Sequence, residues 1–193
     1  TLAAVALVRS VDTGALALGN LGLKQEATAV SDEAANRAIQ WLNDNRGALD
    51  NDVSNSGYYA SAHEDLDVTG QQIPNDGTMR ALVIWDMQDC AYAADIIKKN
   101  CALRPSDEFE LNGNKIRYII LRLCDIAGDP KVAGNSCSQP LAAGTGKAST
   151  KGSGDYSRTD RLVDDTGGVY YRIVVRVVGA RQTTSYIETI VHL

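Results

Sequence analysis

The sequence is poor in the residues that do most catalytic and metal chemistry. Its 193 residues contain two histidines, His63 and His192, and four cysteines. No two cysteines fall within the C-x₂₋₄-C spacing of a zinc site, so no metal and no cofactor is expected. Basic residues are outnumbered: 19 Lys and Arg face 24 Asp and Glu, for a net charge of −5. A nucleic-acid binder would show a basic surplus or basic clusters, and none is expected here. Long apolar runs are also missing. Thr1–Val8 (TLAAVALV) falls far short of the roughly 20 apolar residues that cross a bilayer. There is no initiator Met, charged leader or cleavage motif, so the chain is expected to begin after processing or as a truncated form.

The catalytic and phosphate motifs fail on inspection. Gly144–Thr150 (GTGKAST) has Leu141 and Ala148 where a phosphate loop needs Gly and Ser or Thr. Neither G-x-S-x-G nor H-E-x-x-H occurs. Asp50 and Asp52 begin a calcium-loop pattern, but Asn55 and Ser61 stand where it requires Gly and Glu. His63-Glu64-Asp65 sits in a polar stretch that reads as surface. An enzyme is not expected.

What is present starts with the absence of proline before Pro74. Thr1 to about Arg46 reads as one helix of two characters. Leu23, Ala27, Val30, Ala34, Ala38 and Trp41 recur at steps of three or four, widened by Ala35, Ile39 and Leu42, and form a face made to pack on the chain's own head. The first half, with Leu2, Val5, Val8, Val11, Ala15 and Leu18, has no such single face and needs another cover. Thr1–Val8 reads either as the exit of a membrane helix or as an ordinary helix start within a core. Gly14, Gly19 and Gly22 each cost about 0.5–1 kcal/mol against alanine in a helix. That cost suggests close helix approach, a place where the helix loosens, or a lightly packed face. Asn45–Gly47 reads as the stop, with Gly47 left-handed.

Residues 47–193 read as a β-rich head with one core. The connector Ala48–Gly57 is polar, and GYYAS (57–61) supplies one tyrosine to pack and one to cap. Thr78–Met87 is apolar enough for a strand, and 89–101 is ambiguous. FELNG followed by NKIRYIILRLC (109–124) predicts a hairpin turning at Asn112-Gly113. Residues 125–157, rich in Gly and Ser, read as a long surface loop. Tyr171, Ile173, Val175 and Val177 face a core, while the alternate set turns Arg172 and Arg176 to water or a partner. A second strand over Ser185–Leu193 completes a C-terminal antiparallel hairpin. Cys90, Cys101, Cys124 and Cys137 pair most economically as 90–101 and 124–137, in an oxidising compartment, although four cysteines allow three connectivities.

A long helix preceding a cysteine-bridged antiparallel β domain resembles a type IV pilin, and more closely a minor pilin of the PilX type. The resemblance rests on residues 11–42 (VDTGALALGNLGLKQEATAVSDEAANRAIQWL), on 57–61 and 114–124, and on 169–191 (VYYRIVVRVVGARQTTSYIETIV). It implies an α+β fold, a helix packed on an antiparallel sheet. It implies a cleaved leader and an apolar segment with an early glutamate ahead of Thr1. Such a protein would sit in the inner membrane of a Gram-negative bacterium, its head in the periplasm, and then enter an extracellular pilus. Its partners would be other minor pilins, the major pilin and a PilY-type tip adhesin, and its role would be to prime pilus assembly. The alternatives are a pseudopilin of a type II secretion system and a secreted binding domain, the latter acting through the 125–157 loop or through Arg172 and Arg176.

Overall fold

The computed structural model describes residues 2–70, 80–86, 101–139 and 168–193, with backbone alone at 2–8, 10–13, 16, 101, 102 and 181. The first element, α1 (Leu2–Asp44), is continuous. Its second half is built to lie flat on a sheet. Ala27, Val30, Ala34, Ala35, Ala38 and Leu42 are buried, and Trp41 and Ile39 pack against the same core. Leu23, placed on this face by its spacing, is only half-buried. Four of the six buried apolar side chains are alanines, which let the helix axis come close to the strands. Buried Ser31 is satisfied locally, its hydroxyl donating to the Thr28 carbonyl at 2.7 Å.

The strands are β1 (Tyr58–Tyr59), β2 (Leu66–Asp67), β3 (Ala81–Val83), β4 (Cys101–Leu103), β5 (Phe109–Leu111), β6 (Asn114–Arg122), β7 (Tyr170–Val178) and β8 (Thr184–His192). The main sheet runs β1-β6-β7-β8, with β5 beside the start of β6. β5, β6, β7 and β8 pair antiparallel, and β1 joins β6 in parallel. The fold is therefore α+β, one N-terminal helix on a mostly antiparallel sheet. The β5–β6 turn is the expected one: Asn112 and Gly113 both take positive φ, at 53° and 77°, as a tight hairpin turn requires. β7 and β8 also match expectation, joined by a short 3₁₀ turn at Ala180–Gln182.

Two expectations are corrected. The helix does not stop on a left-handed Gly47. The Asn45 side chain donates to the Trp41 carbonyl at 2.8 Å, and the chain continues into a 3₁₀ turn at Arg46–Ala48. The head has two cores, because the apolar run Tyr118–Leu121 buries both faces of β6. Ile116, Tyr118 and Ile120 meet the helix. Ile119 and Leu121, with Val174, meet a second layer of Leu66, Val68, Val83, Trp85 and Leu103. That layer holds the small parallel sheet β2-β3-β4. Glu64 and Asp65 are exposed, as expected, and His63 is half-buried; directly after them Leu66, Asp67 and Val68 are buried, and Trp85 Nε1 donates to the Val68 carbonyl at 2.7 Å.

The tyrosines of GYYAS are split between the cores. Tyr58 packs under the helix, its ring 5.3 Å from that of Trp41, while Tyr59 faces the second layer. Gly57 permits this at φ 73°, since a Cβ there would stand 2.5 Å from the Ser106 nitrogen. Gly14, Gly19 and Gly22 differ: a Cβ at any of them meets nothing within 4 Å.

The helix runs along β6. Glu26 Oε1 accepts from Asn114 Nδ2 at 2.9 Å, Arg37 lies 4.6 Å over the Phe109 ring, and Trp41 reaches Tyr58 beside Ile120. Gly14, Ala15 and residues 17–22 are exposed, projecting past the end of the sheet where β5 turns into β6. Hydrogen exchange should divide α1 at this point. Amides between Ala27 and Leu42 should exchange at least roughly a hundredfold more slowly than those between Ala15 and Leu21 in the isolated chain. Uniformly slow exchange along both halves would contradict the division.

Candidate functional site

The residues expected to contact other molecules fall into two groups. On the exposed half of α1, Leu18 is 71% and Leu21 52% exposed, and Ala15 is exposed beside them. The side chains of Leu2, Val5, Val8 and Val11 lie outside the described residues. No helix among the described residues is long and apolar enough to cross a membrane. The C-terminal set Ala27, Val30, Ala34, Ala38 and Trp41 does pack on the head, as its spacing requires.

Arg172 and Arg176 are not part of one open basic face. They flank Val174, which is buried in the second core, and stand roughly 13 Å apart along β7. Arg172 reaches across to β8, where Nη2 donates to Glu188 Oε2 at 2.7 Å. Arg176 Nη2 donates to Asp86 Oδ2 at 2.7 Å. This contact holds the Asp86 carboxyl below its ordinary value: the Arg176 hydrogen bond lowers it most, partial burial opposes, and the charges of Arg176, Arg117 and Lys115 lower it further. These groups line a groove of about 500 Å³ beside Glu108, which pairs with Lys115 and Arg117 at 3.6 Å each. Each of these cations thus meets a carboxylate, Lys115 and Arg117 sharing Glu108, and the groove is a polar surface of mixed charge.

The most constrained polar group is one the sequence reading passed over. Arg122 is 1% exposed. Nε donates to the Ala60 carbonyl at 3.0 Å, Nη1 to the Leu49 carbonyl at 3.0 Å and to Asp50 Oδ1 at 3.3 Å, and Nη2 to the Gly128 carbonyl. Tyr58 Oη donates to the same Leu49 carbonyl at 2.6 Å. Burial, more than any neighbouring charge, raises the Tyr58 hydroxyl well above its ordinary value and keeps it a donor. The signal was in the alternation. Ile116, Tyr118, Ile120 and Arg122 share one face of β6, so a strand in this register must bury a guanidinium. A buried guanidinium needs several acceptors at once.

Gly128 belongs to the loop closed by Cys124 and Cys137, which are disulfide-bonded. The pairing expected for Cys90 with Cys101 lies outside the described residues, as do positions 140–157 of the expected surface loop. The described part of that loop is exposed but ordered by its own bonds. Asn135 Oδ1 accepts from the Ile126 nitrogen at 3.3 Å, and Asp129 Oδ1 from the Lys131 nitrogen at 2.8 Å. Ser138 bridges the end of β6 to the start of β7 through Leu123 and Tyr170.

The His63 ring stands edge-on to that of Tyr59 at 5.5 Å. Among the described residues no group of three or more His, Cys, Asp and Glu side chains could hold a metal ion. Asp50 and Asp52 serve structure instead: Asp50 meets Arg122, and Asp52 Oδ1 accepts from the Ala60 nitrogen at 2.8 Å.

Two expectations follow. Arg122→Met should lower the unfolding free energy by about 2–4 kcal/mol, because the Ala60 and Gly128 carbonyls lose their donor, and denaturant titration with the disulfide intact would measure it. An unchanged midpoint would show that the buried network contributes nothing. For Asp86, a folded pKa below the unfolded value adds stability that is present above about pH 4 and lost as the pH falls through the folded value. Carboxyl titration by NMR should therefore show Asp86 ionising below the usual range, and Arg176→Gln should bring it back up. Comparison with models of protein families, with curated proteins and with solved structures gave no match.

Proposed function

We propose that this chain is a minor pilin subunit of the PilX type, which primes type IV pilus assembly and joins other minor pilins and a tip adhesin. The observation that carries this reading is the exposed half of α1. Leu18 and Leu21 are bare there, and Gly14, Gly19 and Gly22 weaken the helix with no neighbour among the described residues that needs their small size. Small residues beside exposed leucines suit a helix that packs closely against other helices. The function is contact, without catalysis. The head stands in the periplasm before assembly and outside the cell afterwards, where a disulfide persists.

The test is genetic. Deleting the gene should abolish or sharply reduce surface pili counted by electron microscopy, and the wild-type gene should restore them. A gene carrying both Leu18→Glu and Leu21→Glu should fail to restore them, although the purified variant keeps the thermal unfolding of the wild-type head. Normal piliation with lost adhesion would reject the assembly role and favour direct binding.

A further inference from the structure

The loop between Cys124 and Cys137 is tied to the head at its ends and at Gly128. At the ends the two cysteines face each other in an antiparallel bridge, joined through their sulfurs. At Gly128 the nitrogen donates to the Asp50 carbonyl at 2.7 Å, and the carbonyl accepts from Arg122 Nη2. Between these points the loop bonds to itself: the Val132 nitrogen donates to the Asp129 carbonyl at 3.2 Å, and the Asn135 nitrogen to the Val132 carbonyl at 3.1 Å. Gly128 sits at φ 109°, a conformation that strains any side chain.

The acceptors of Arg122 are therefore held in different ways. Leu49 is buried in the helix core, and Ala60 directly follows β1. Gly128 lies in a loop with neither helix nor strand, so its position depends on how the loop is closed. Two backbone hydrogen bonds flank the cysteine bridge, from the Asp125 nitrogen to the Ser136 carbonyl and from the Ser138 nitrogen to the Leu123 carbonyl. Asp125, Ser136 and Ser138 are exposed, so these bonds compete with water and the covalent bond supplies most of the closure. That bond is open to attack from one side. Both cysteines line a cavity of about 280 Å³ with Leu123, Ser136 and Ser138. Cys124 is 1% exposed and belongs to the helix core, whereas Cys137 is half-buried.

We propose that the Cys124–Cys137 bond is a redox latch on the exit of α1, closed in the oxidised chain and opened by a dithiol reductant. A thiolate of the reductant attacks Cys137 Sγ. The S–S bond breaks, and its electron pair leaves on Cys124 Sγ, which takes a proton. The second thiol then attacks the mixed disulfide and releases Cys137. The cysteine pair gains two electrons and two protons, and the dithiol is oxidised to a disulfide. With its ends freed, the loop withdraws Gly128 from both Arg122 and Asp50. A buried guanidinium short of an acceptor draws in water. The Leu49 carbonyl, shared by Arg122 Nη1 and Tyr58 Oη, then loosens, and with it the 3₁₀ turn that leads out of the helix. The second core and β7 take no part in this network. The inference does not rest on the pilin reading, since a chain that joins no fibre would show the same coupling.

The experiment uses the whole chain in three forms: oxidised wild type, wild type in dithiothreitol, and Cys124→Ala/Cys137→Ala without reductant, which spares any other cysteine pair. The nitrogens of Ala48 and Val53 donate to the Asn45 and Tyr58 carbonyls, and so report on the exit of the helix. Amide exchange by NMR should speed at least about tenfold at Gly128, Ala48 and Val53 in both open forms, while Ile173 and Val175 of β7 keep their protection. Gly128→Val, with the bond intact, should also open Ala48 and Val53, because valine resists the φ that seats the loop. Glutathione trapped as a mixed disulfide should map to Cys137. The proposal is overturned if faster exchange is confined to residues 125–136, or if Gly128→Val leaves Ala48 and Val53 protected. It is equally overturned if glutathione maps to Cys124, if dithiothreitol leaves the bond intact in the folded chain, or if either open form loses the protection of β7. That last result would make the bond a support of the whole head.

Discussion

Arg122 puts a guanidinium in the interior of the head, and the segments that satisfy it come from three separate parts of the chain. Leu49 and Asp50 follow the helix, Ala60 follows β1, and Gly128 lies in the disulfide loop. A buried cation left without acceptors would cost several kcal/mol, so each segment is held where its carbonyl is needed. Asp50 stands at the rim as a partly exposed counter-charge. It closes the arrangement from the other side as well, its carbonyl accepting from the Gly128 nitrogen at 2.7 Å. Tyr58 shares the Leu49 acceptor with Arg122 and meets Trp41 of the helix. One charged side chain thereby sets the exit of α1, the path of β1 and the anchorage of the loop after β6.

The second constraint is that β6 has no solvent face through its centre. Ile120 lies under the helix while Ile119 and Leu121 lie under the parallel strands, so the two cores share one strand as their wall. Tyr58 and Tyr59 repeat the division in adjacent residues. The Tyr59 hydroxyl accepts from the Arg104 nitrogen at 2.6 Å, fixing the chain that leads out of β4. Bonds of this kind let very short strands hold a layer that their own ladders would leave marginal.

Legibility followed the range of the interactions. The helix, the turn at Asn112-Gly113 and the β7–β8 hairpin are local: periodicity or a two-residue turn dictates each, and each could be read directly. Cys124 with Cys137 closes a short loop and was equally accessible. The second core was not, because its contributors are scattered over residues 59–174 and some sit in stretches of polar composition, such as Leu66 and Val68 around Asp67. Asp67 is buried because its carboxylate accepts from the Thr69 and Gly70 nitrogens, a turn that composition alone reads as a surface loop. Arg172 and Arg176 were placed on the correct face of β7. What lay over that face depended on Asp86, Glu188 and the strands around them, and no pattern within β7 reports those.

The alignment of α1 with β6 has a mechanical consequence. The helix is fastened near Glu26 at one end of the strand and near Trp41 at the other, with the alanine face between them. A pull on the projecting half, directed along the axis, loads that face in shear. Its contacts must then yield together, whereas a pull across the axis would peel them apart in turn. The same alignment carries the load towards the end of the head where Arg122 and the Cys124–Cys137 bond cross-link the chain. A cross-linked part of the head therefore lies at the far end of the line along which such a force would act.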